Sequence, residues 1–258
     1  MSPVDDHVPD QPHDQASSDP LRRPATDRPR TEDGRHRSGV RTFTPRWRSS
    51  PLTDERMARL MPRYGVGSEL LDQARRAEIF GRVAPFVLEI GSGHGGAARA
   101  YAASHPEHDL LAVEVHVPGI ARMLAAAHEE GLANLRVHRG DALELLQTSI
   151  QAGSLEAVHL FFPDPWPKAR HAKRRLIQQH TLDLIASRLR PGGALLVATD
   201  HAQYAEHVRE QLAEHGGFEV SEGDRPAWRP TDGFEDKGTR AGRAIHELRI
   251  VARDTSDR

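Results

Sequence analysis

Residues 161–175 read FFPDPWPKARHAKRR, and their types in this order can do chemistry. Pro163 and Pro165 restrict the backbone on either side of Asp164, so its carboxylate is held in one direction. Trp166 offers a flat face on which a nucleobase can stack, a contact of roughly 1–3 kcal/mol in single-strand binders. Lys168, Arg170, His171, Lys173, Arg174 and Arg175 follow within ten residues. Cations crowded at the start of a helix oppose its dipole by roughly 0.3–1 kcal/mol each, which suggests that an anion such as a phosphate backbone completes the site. The plainer alternative is a rigid turn, with Asp164 capping an amide, Trp166 in the core and a solvated basic face. The position of the run at the end of a buried strand favours contact with RNA.

A second group of residues could hold a nucleotide-like ligand. VLEIGSGHGG at 87–96 ends a strand and opens a helix, with Gly91, Gly93 and Gly95 allowing a tight turn and close backbone approach. Alone, that pattern suits a purely steric βα turn equally well. Three acids add weight: Glu89 just before the glycines, Glu114 at the end of the next strand and Asp141 after the third. Glu114 is placed to accept the hydroxyls of a ribose and Asp141 to meet an adenine edge. A dinucleotide would bring its pyrophosphate against Glu89, an electrostatic cost. S-adenosylmethionine carries an ammonium and a sulfonium instead, so the acids favour the methyl donor. Asp200, ending a later strand in ATDH, is a further candidate on the ligand edge, and the long loop RPTDGFEDKGTRAGRAIHE at 229–247 reads equally well as a functional segment or as an exposed basic excursion.

The elements that must position these residues are legible from periodicity. FVLEI (86–90), LLAVEV (110–115), LRVHR (135–139), AVHLFF (157–162), ALLVATD (194–200) and HELRIVAR (246–253) read as strands. Helices are expected at about 96–104, 118–130, 142–149 and 173–189, with PGG at 191–193 as a sharp stop. Two further helices precede the first strand, one with Thr53 as its N-cap and Met57, Leu60 and Met61 on one face, the other from Ser68 to about Phe80. Residues 216–245 read as loop. Strand alternating with helix implies a doubly wound α/β domain with a mostly parallel sheet.

Composition narrows the class. Residues 1–40 are rich in Pro, Asp, Arg and Ser and read as a disordered tail, leaving 41–258 as one domain. His7, Asp10, His13 and Asp14 in that tail are better explained by solvation than by a metal, and no metal site is expected. The formal charge of −2 excludes a generally basic protein, so nucleic-acid binding must be local. The absence of cysteine excludes disulfides, thiolate metal sites and a cysteine nucleophile. No stretch approaches the roughly 20 apolar residues of a membrane helix, and the N-terminus has no signal-peptide pattern, so a cytoplasmic location is expected.

Taken together, LEIGSGHG, VEVHVPGI, AHEEGLANLRVHRGDA, LFFPDPWPKARHAKRR and ATDHAQYAEH resemble, in order and spacing over about residues 41–252, the bacterial tRNA (guanine-N7-)-methyltransferases. The resemblance implies a class I methyltransferase fold with a seven-stranded sheet. It implies transfer of a methyl group from S-adenosylmethionine to N7 of guanosine 46 in the tRNA variable loop, with tRNA as partner and no obligate protein partner. Glu89, Glu114, Asp141 and Asp164 would bind the donor, and Asp164 would also serve at the active site. Lys168 and Asp200 would contact the substrate, and Arg170 to Arg175 would meet RNA. The family's Thr-Lys-Phe-Glu is altered here: Phe234 and Glu235 are kept, but Asp232 and Gly233 precede them. Either Thr231 takes the hydroxyl's role one place early or that contact is changed.

Overall fold

Five strands make the parallel part of the sheet: β1 (Phe86–Ile90), β2 (Asp109–Glu114), β3 (Leu135–Arg139), β4 (Leu155–Phe161) and β5 (Leu189–Thr199). The central ones are near-continuous apolar runs buried on both faces, while the edge strand β3 is only partly apolar. The computed structural model describes residues 50–231 and 233–253. The tail assigned to 1–40, Asp232 and the side chain of Phe234 therefore lie outside the described residues.

Two antiparallel strands, β6 (Phe218–Glu222) and β7 (His246–Ala252), complete a seven-stranded sheet of order β3-β2-β1-β4-β5-β7-β6. β7 pairs with both β5 and β6. β6 falls in the stretch expected to be loop: only Phe218 of FEVSE is buried, so this edge strand lacks an apolar pattern. PGG at 191–193 lies within β5, where the register against β4 jumps between the pairs Leu155–Leu189 and Ala157–Ala194.

Helices α1 (Pro51–Tyr64), α2 (Gln73–Phe80), α3 (Gly96–Ser104), α4 (Val117–Glu129), α5 (Ala142–Thr148), α6 (Gln179–Arg188), α7 (Ala202–His215) and α8 (Gly233–Arg240) surround the sheet. Ser50, not Thr53, caps α1, its hydroxyl accepting from the amide of Thr53 at 3.2 Å. α2 starts at Gln73 rather than near Ser68, because Asp72 caps it by accepting from the amide of Arg75 at 2.8 Å. The helix expected over 173–189 is split: a 3-10 helix, Ala169–Arg174, carries the basic run and α6 begins only at Gln179.

The period of two along each strand sorts side chains to two faces. Phe86, Leu88 and Ile90 join the larger core with Val158, Leu160, Leu182, Ile185 and Tyr204. Val87 joins the second core, with Leu60 of α1, Tyr101 of α3 and Ile120 and Leu124 of α4. Glu89 shares the parity of Val87 and so faces the side covered by α1, α3 and α4. This alternation puts a carboxylate in the second core beside the sheet's carboxyl edge.

Candidate active site

Glu89, Glu114, Asp141, Asp164 and Asp200 lie at or just beyond the carboxyl ends of β1 to β5 in turn, the edge at which open α/β sheets bind ligands. Gly91, Gly93 and Gly95 have φ of 72°, 56° and 75°, left-handed values that fold β1 sharply into α3. Glu114 is bonded across this turn: one oxygen accepts from the amide of Gly93 at 2.7 Å, the other from those of Val115 and His116 at 2.7 and 2.8 Å. Asp141 caps α5, accepting from the amides of Leu143 and Glu144.

Glu89 is only 2% exposed, and its Oε2 has no hydrogen-bond partner within the described protein. The same holds for the buried hydroxyl oxygen of Ser92 in the glycine turn. Buried polar atoms normally find a partner. Two such atoms beside a turn with open space at Gly91 and Gly93 suit a ligand that brings a cation and further donors. This is a fit for the ammonium-bearing end of S-adenosylmethionine.

Asp164 stands in a loop with left-handed residues on both sides, Phe162 at φ 49° and Trp166 at φ 42°. Non-glycine residues there cost of order 1–3 kcal/mol each and persist only where surroundings impose them. Part of what imposes the loop is Arg175. This residue is 8% exposed, and its guanidinium donates to the carbonyls of Pro165 and Trp166 at 3.1 and 3.4 Å. The expectation that Arg175 meets RNA is therefore corrected: it holds the loop from beneath. Asp164 itself keeps surface exposed, yet surrounding protein desolvates its carboxyl and pushes it above the ordinary aspartate range.

The remaining cations face outward. Lys168, Arg170 and Lys173 are exposed, and Arg174 lies over the Trp166 ring at 4.9 Å. His171 meets the same ring edge-on at 5.7 Å. Burial together with Arg174, Arg170 and Lys168 holds this histidine below its ordinary range. Because the run occupies a short 3-10 helix, the macrodipole expectation does not apply. Arg174 thus covers one face of Trp166 while His171 meets the ring edge-on, so the indole is not a wholly bare stacking face.

Further along the edge, Asp200 accepts two bonds from Arg243, at 2.9 and 2.7 Å. Thr231 is exposed and its hydroxyl accepts from Arg225 at 2.9 Å. Glu235, in contrast, is 5% exposed and ion-paired with Arg229 at 2.7 Å and Arg225 at 3.3 Å. Burial and pairing give it a structural task that its family assignment did not suggest. Gly119 was also missed: a Cβ there would lie 2.5 Å from the carbonyl of Gly93, so α4 packs directly on the glycine turn. His159, buried in β4 opposite Glu89, was missed as well, although it had one signal, a histidine inside the otherwise apolar run AVHLFF. A cavity of about 320 Å³, lined by Arg76, Arg82, Asp109, Glu156 and Arg190 among others, lies at the amino end of the sheet, away from these residues.

With this geometry in view, the similarities to known proteins are informative. The family model described as "Putative methyltransferase" matches residues 83–248. The tRNA (guanine-N(7)-)-methyltransferase of Nitrosomonas eutropha is 46% identical over 193 residues, 73% of this chain and 85% of its own length. That of Escherichia coli K12 is 43% identical over 225 residues, 84% of this chain and 93% of its own.

The chain belongs to the tRNA (guanine-N7-)-methyltransferase family.

Fold similarity agrees. The solved structure of the 16S rRNA methyltransferase KamB has a TM-score of 0.50 at 14% identity, covering 70% of this chain and 93% of that one. At such identity the likeness speaks for the Rossmann-like methyltransferase fold only. Among the described residues, no helix is long and apolar enough to cross a membrane.

Proposed function

We propose that this chain transfers the methyl group of S-adenosylmethionine to N7 of a guanosine in tRNA, at position 46 of the variable loop, in the cytoplasm. The observation that carries the reading is the placement of Asp164. Asp164 stands between two left-handed residues, on the sheet edge shared with Glu89 and Glu114, and exposed cations follow within ten residues.

Bound in this site, S-adenosylmethionine would supply a methyl group on a cationic sulfur. The in-plane lone pair of N7 would bond to the methyl carbon without loss of a proton as the carbon–sulfur bond broke, the electron pair of that bond staying on the sulfur, now a neutral thioether. No strong general base is then required of the protein. Glu89 receives the donor's ammonium, the glycine turn takes its backbone-like portion, and Glu114 and Asp141 hold the ribose and the adenine edge. Asp164 stabilises the positive charge that develops on the purine and aligns its imidazole edge. Lys168 and Asp200 contact the guanosine, joined by the stretch Thr231, Asp232, Phe234 and Glu235, with Glu235 acting from its buried ion pairs. Arg170, His171, Lys173 and Arg174 meet the phosphate backbone, a sequence-independent contribution that positions the nucleic acid.

The test is direct. Purified protein, labelled S-adenosylmethionine and unmodified tRNA are incubated and the nucleosides analysed. Appearance of 7-methylguanosine at position 46 supports the reading. Label in another nucleoside, or none although the donor binds, overturns it in favour of a different acceptor.

A further inference from the structure

The dense ionic arrangement in the segment between β6 and α8 has Arg229 at its centre, a residue only 3% exposed. One guanidinium nitrogen donates to Glu235 of α8 at 2.7 Å, and the other donates to Glu247 of β7. The same group lies over the rings of Phe161 and Phe162, 5.1 and 5.5 Å from their centroids. Its Nε is buried without a hydrogen-bond partner in the described structure. Arg225 closes the arrangement by donating to the carbonyl of Arg229 at 2.8 Å and to the hydroxyl of Thr231 at 2.9 Å.

As a stability device this is a poor choice. Desolvating a guanidinium and two carboxylates consumes much of what their attraction returns, and an apolar cluster of the same volume does as well or better. An arginine is distinguished by direction: a planar fork that reaches two carboxylates and a flat face that packs on aromatic rings. Here the fork reaches the α8 segment, and the flat face reaches the root of the Asp164 loop. Phe162 is the left-handed residue from which the chain turns into Pro163 and Asp164, and its amide is tied to the carbonyl of Ala198 at 2.8 Å. Phe162 and Glu235, 73 positions apart in the chain, are thus locked by one side chain. Both locked segments belong to the acceptor side proposed above, on which the inference rests.

We infer that Arg229 is a positioning residue for methyl transfer, setting the Asp164 loop and the α8 segment at one fixed separation so that the guanosine meets both at once. Misplacement by about 1 Å costs on the order of a hundredfold in such reactions, so the effect falls on turnover. Neither Glu89 nor Glu114 is bonded to Arg229, Arg225, Glu235 or Glu247, so the main donor contacts are kept and donor affinity is largely spared.

Arg229→Lys keeps the charge and removes the fork and the flat face. Wild type and variant are compared for kcat and tRNA KM with S-adenosylmethionine saturating, for donor affinity by calorimetry and for thermal unfolding. The expected result is a kcat lower by about tenfold or more, with donor Kd and tRNA KM within about threefold. An unchanged kcat in the folded variant overturns the inference. So does a loss of donor affinity that parallels the loss of kcat, which is the mark of a merely structural role. Should Arg229→Lys fail to fold, Phe162→Leu decides, since it leaves the carboxylate pairs intact and removes the ring at the loop's root: kcat must fall there with donor affinity kept, and an undiminished kcat overturns the inference. A wild type that yields no 7-methylguanosine defeats the functional reading itself, and the inference falls with it. An active wild type beside an unimpaired variant defeats the inference alone.

Discussion

Nδ1 of His159 lies 3.5 Å from Oε2 of Glu89 inside the sheet, with both side chains withdrawn from solvent. The two residues are partners in the β1–β4 register. The imidazole is itself enclosed, stacked on Trp228 at 5.2 Å and met edge-on by Tyr101 at 4.8 Å. Glu89 thus sits at the inner end of a rigid aromatic wall, too far from the imidazole for a good hydrogen bond and free to take a stronger one from a cation.

Glu89→Gln tests that consequence. The amide keeps the volume and removes the charge, so the bond to an ammonium loses its charge assistance, worth about 1.5–3 kcal/mol. Calorimetric titration with S-adenosylmethionine should show affinity lower by roughly ten- to a hundredfold. The melting temperature should not fall, because the buried Oε2 has no hydrogen bond within the described protein to lose. Undiminished affinity would remove Glu89 from the donor site.

Asp164→Asn should separate stability from activity. A carboxyl whose folded-state value is raised takes up protons on folding, so its contribution is present at low pH and lost as pH rises through the raised value. At neutral pH the ionised Asp164 therefore works against the fold. The asparagine variant should melt slightly higher than wild type at pH 7 and lose that advantage in acid. Its turnover should be lower by roughly a hundredfold or more, the scale of removing one oriented electrostatic group. In wild type, kcat should fall on the acid side above the ordinary aspartate range, and this limb should be missing from the variant's residual rate. A variant that is both less stable and fully active would contradict the assignment.

The basic run should divide by burial. Arg170→Ala and Lys173→Ala remove exposed cations, and each should weaken tRNA binding and reduce the slope of log affinity against log salt by about 1, without moving the melting temperature. Arg175→Ala removes the donor beneath Pro165 and Trp166. It should destabilise the protein by about 1–3 kcal/mol and lower kcat through the Asp164 loop. Melting curves and salt-dependent binding of the three variants check this, and an Arg175 variant that behaves like the other two would show that its side chain reaches RNA.

Gly119→Ala places a methyl group 2.5 Å from the carbonyl of Gly93, and backbone on both sides must move. The expected cost is about 1–3 kcal/mol of stability. Because the displaced atom belongs to the turn that Glu114 also bonds, donor affinity should fall as well. A donor titration showing wild-type affinity in a destabilised variant would mean that the turn yields without losing its shape.

Much of the fold was legible because the buried strands are apolar enough to announce themselves. β1 to β5 and β7 fall close to their expected positions, and the glycine turn and acids follow them in order. β6 was not, since a single buried residue at a sheet edge leaves no periodicity. The helix expected over 173–189 failed for a related reason. KARHAKRR has good helix formers, but burying Arg175 against the loop carbonyls requires the chain to leave the helix after Arg174.

What the sequence determined by itself is the family, the alternation of strand and helix, and the series of acids at strand ends, because these depend on neighbours close in the chain. Tertiary structure alone decided which charges face solvent. Arg175 turns inward, Glu235 is buried against Arg229, and His159 is placed beside Glu89. Each of these outcomes is an exchange of water for a partner supplied by a distant segment. A charged residue type carries no record of that exchange, since the partner exists only once the chain has packed.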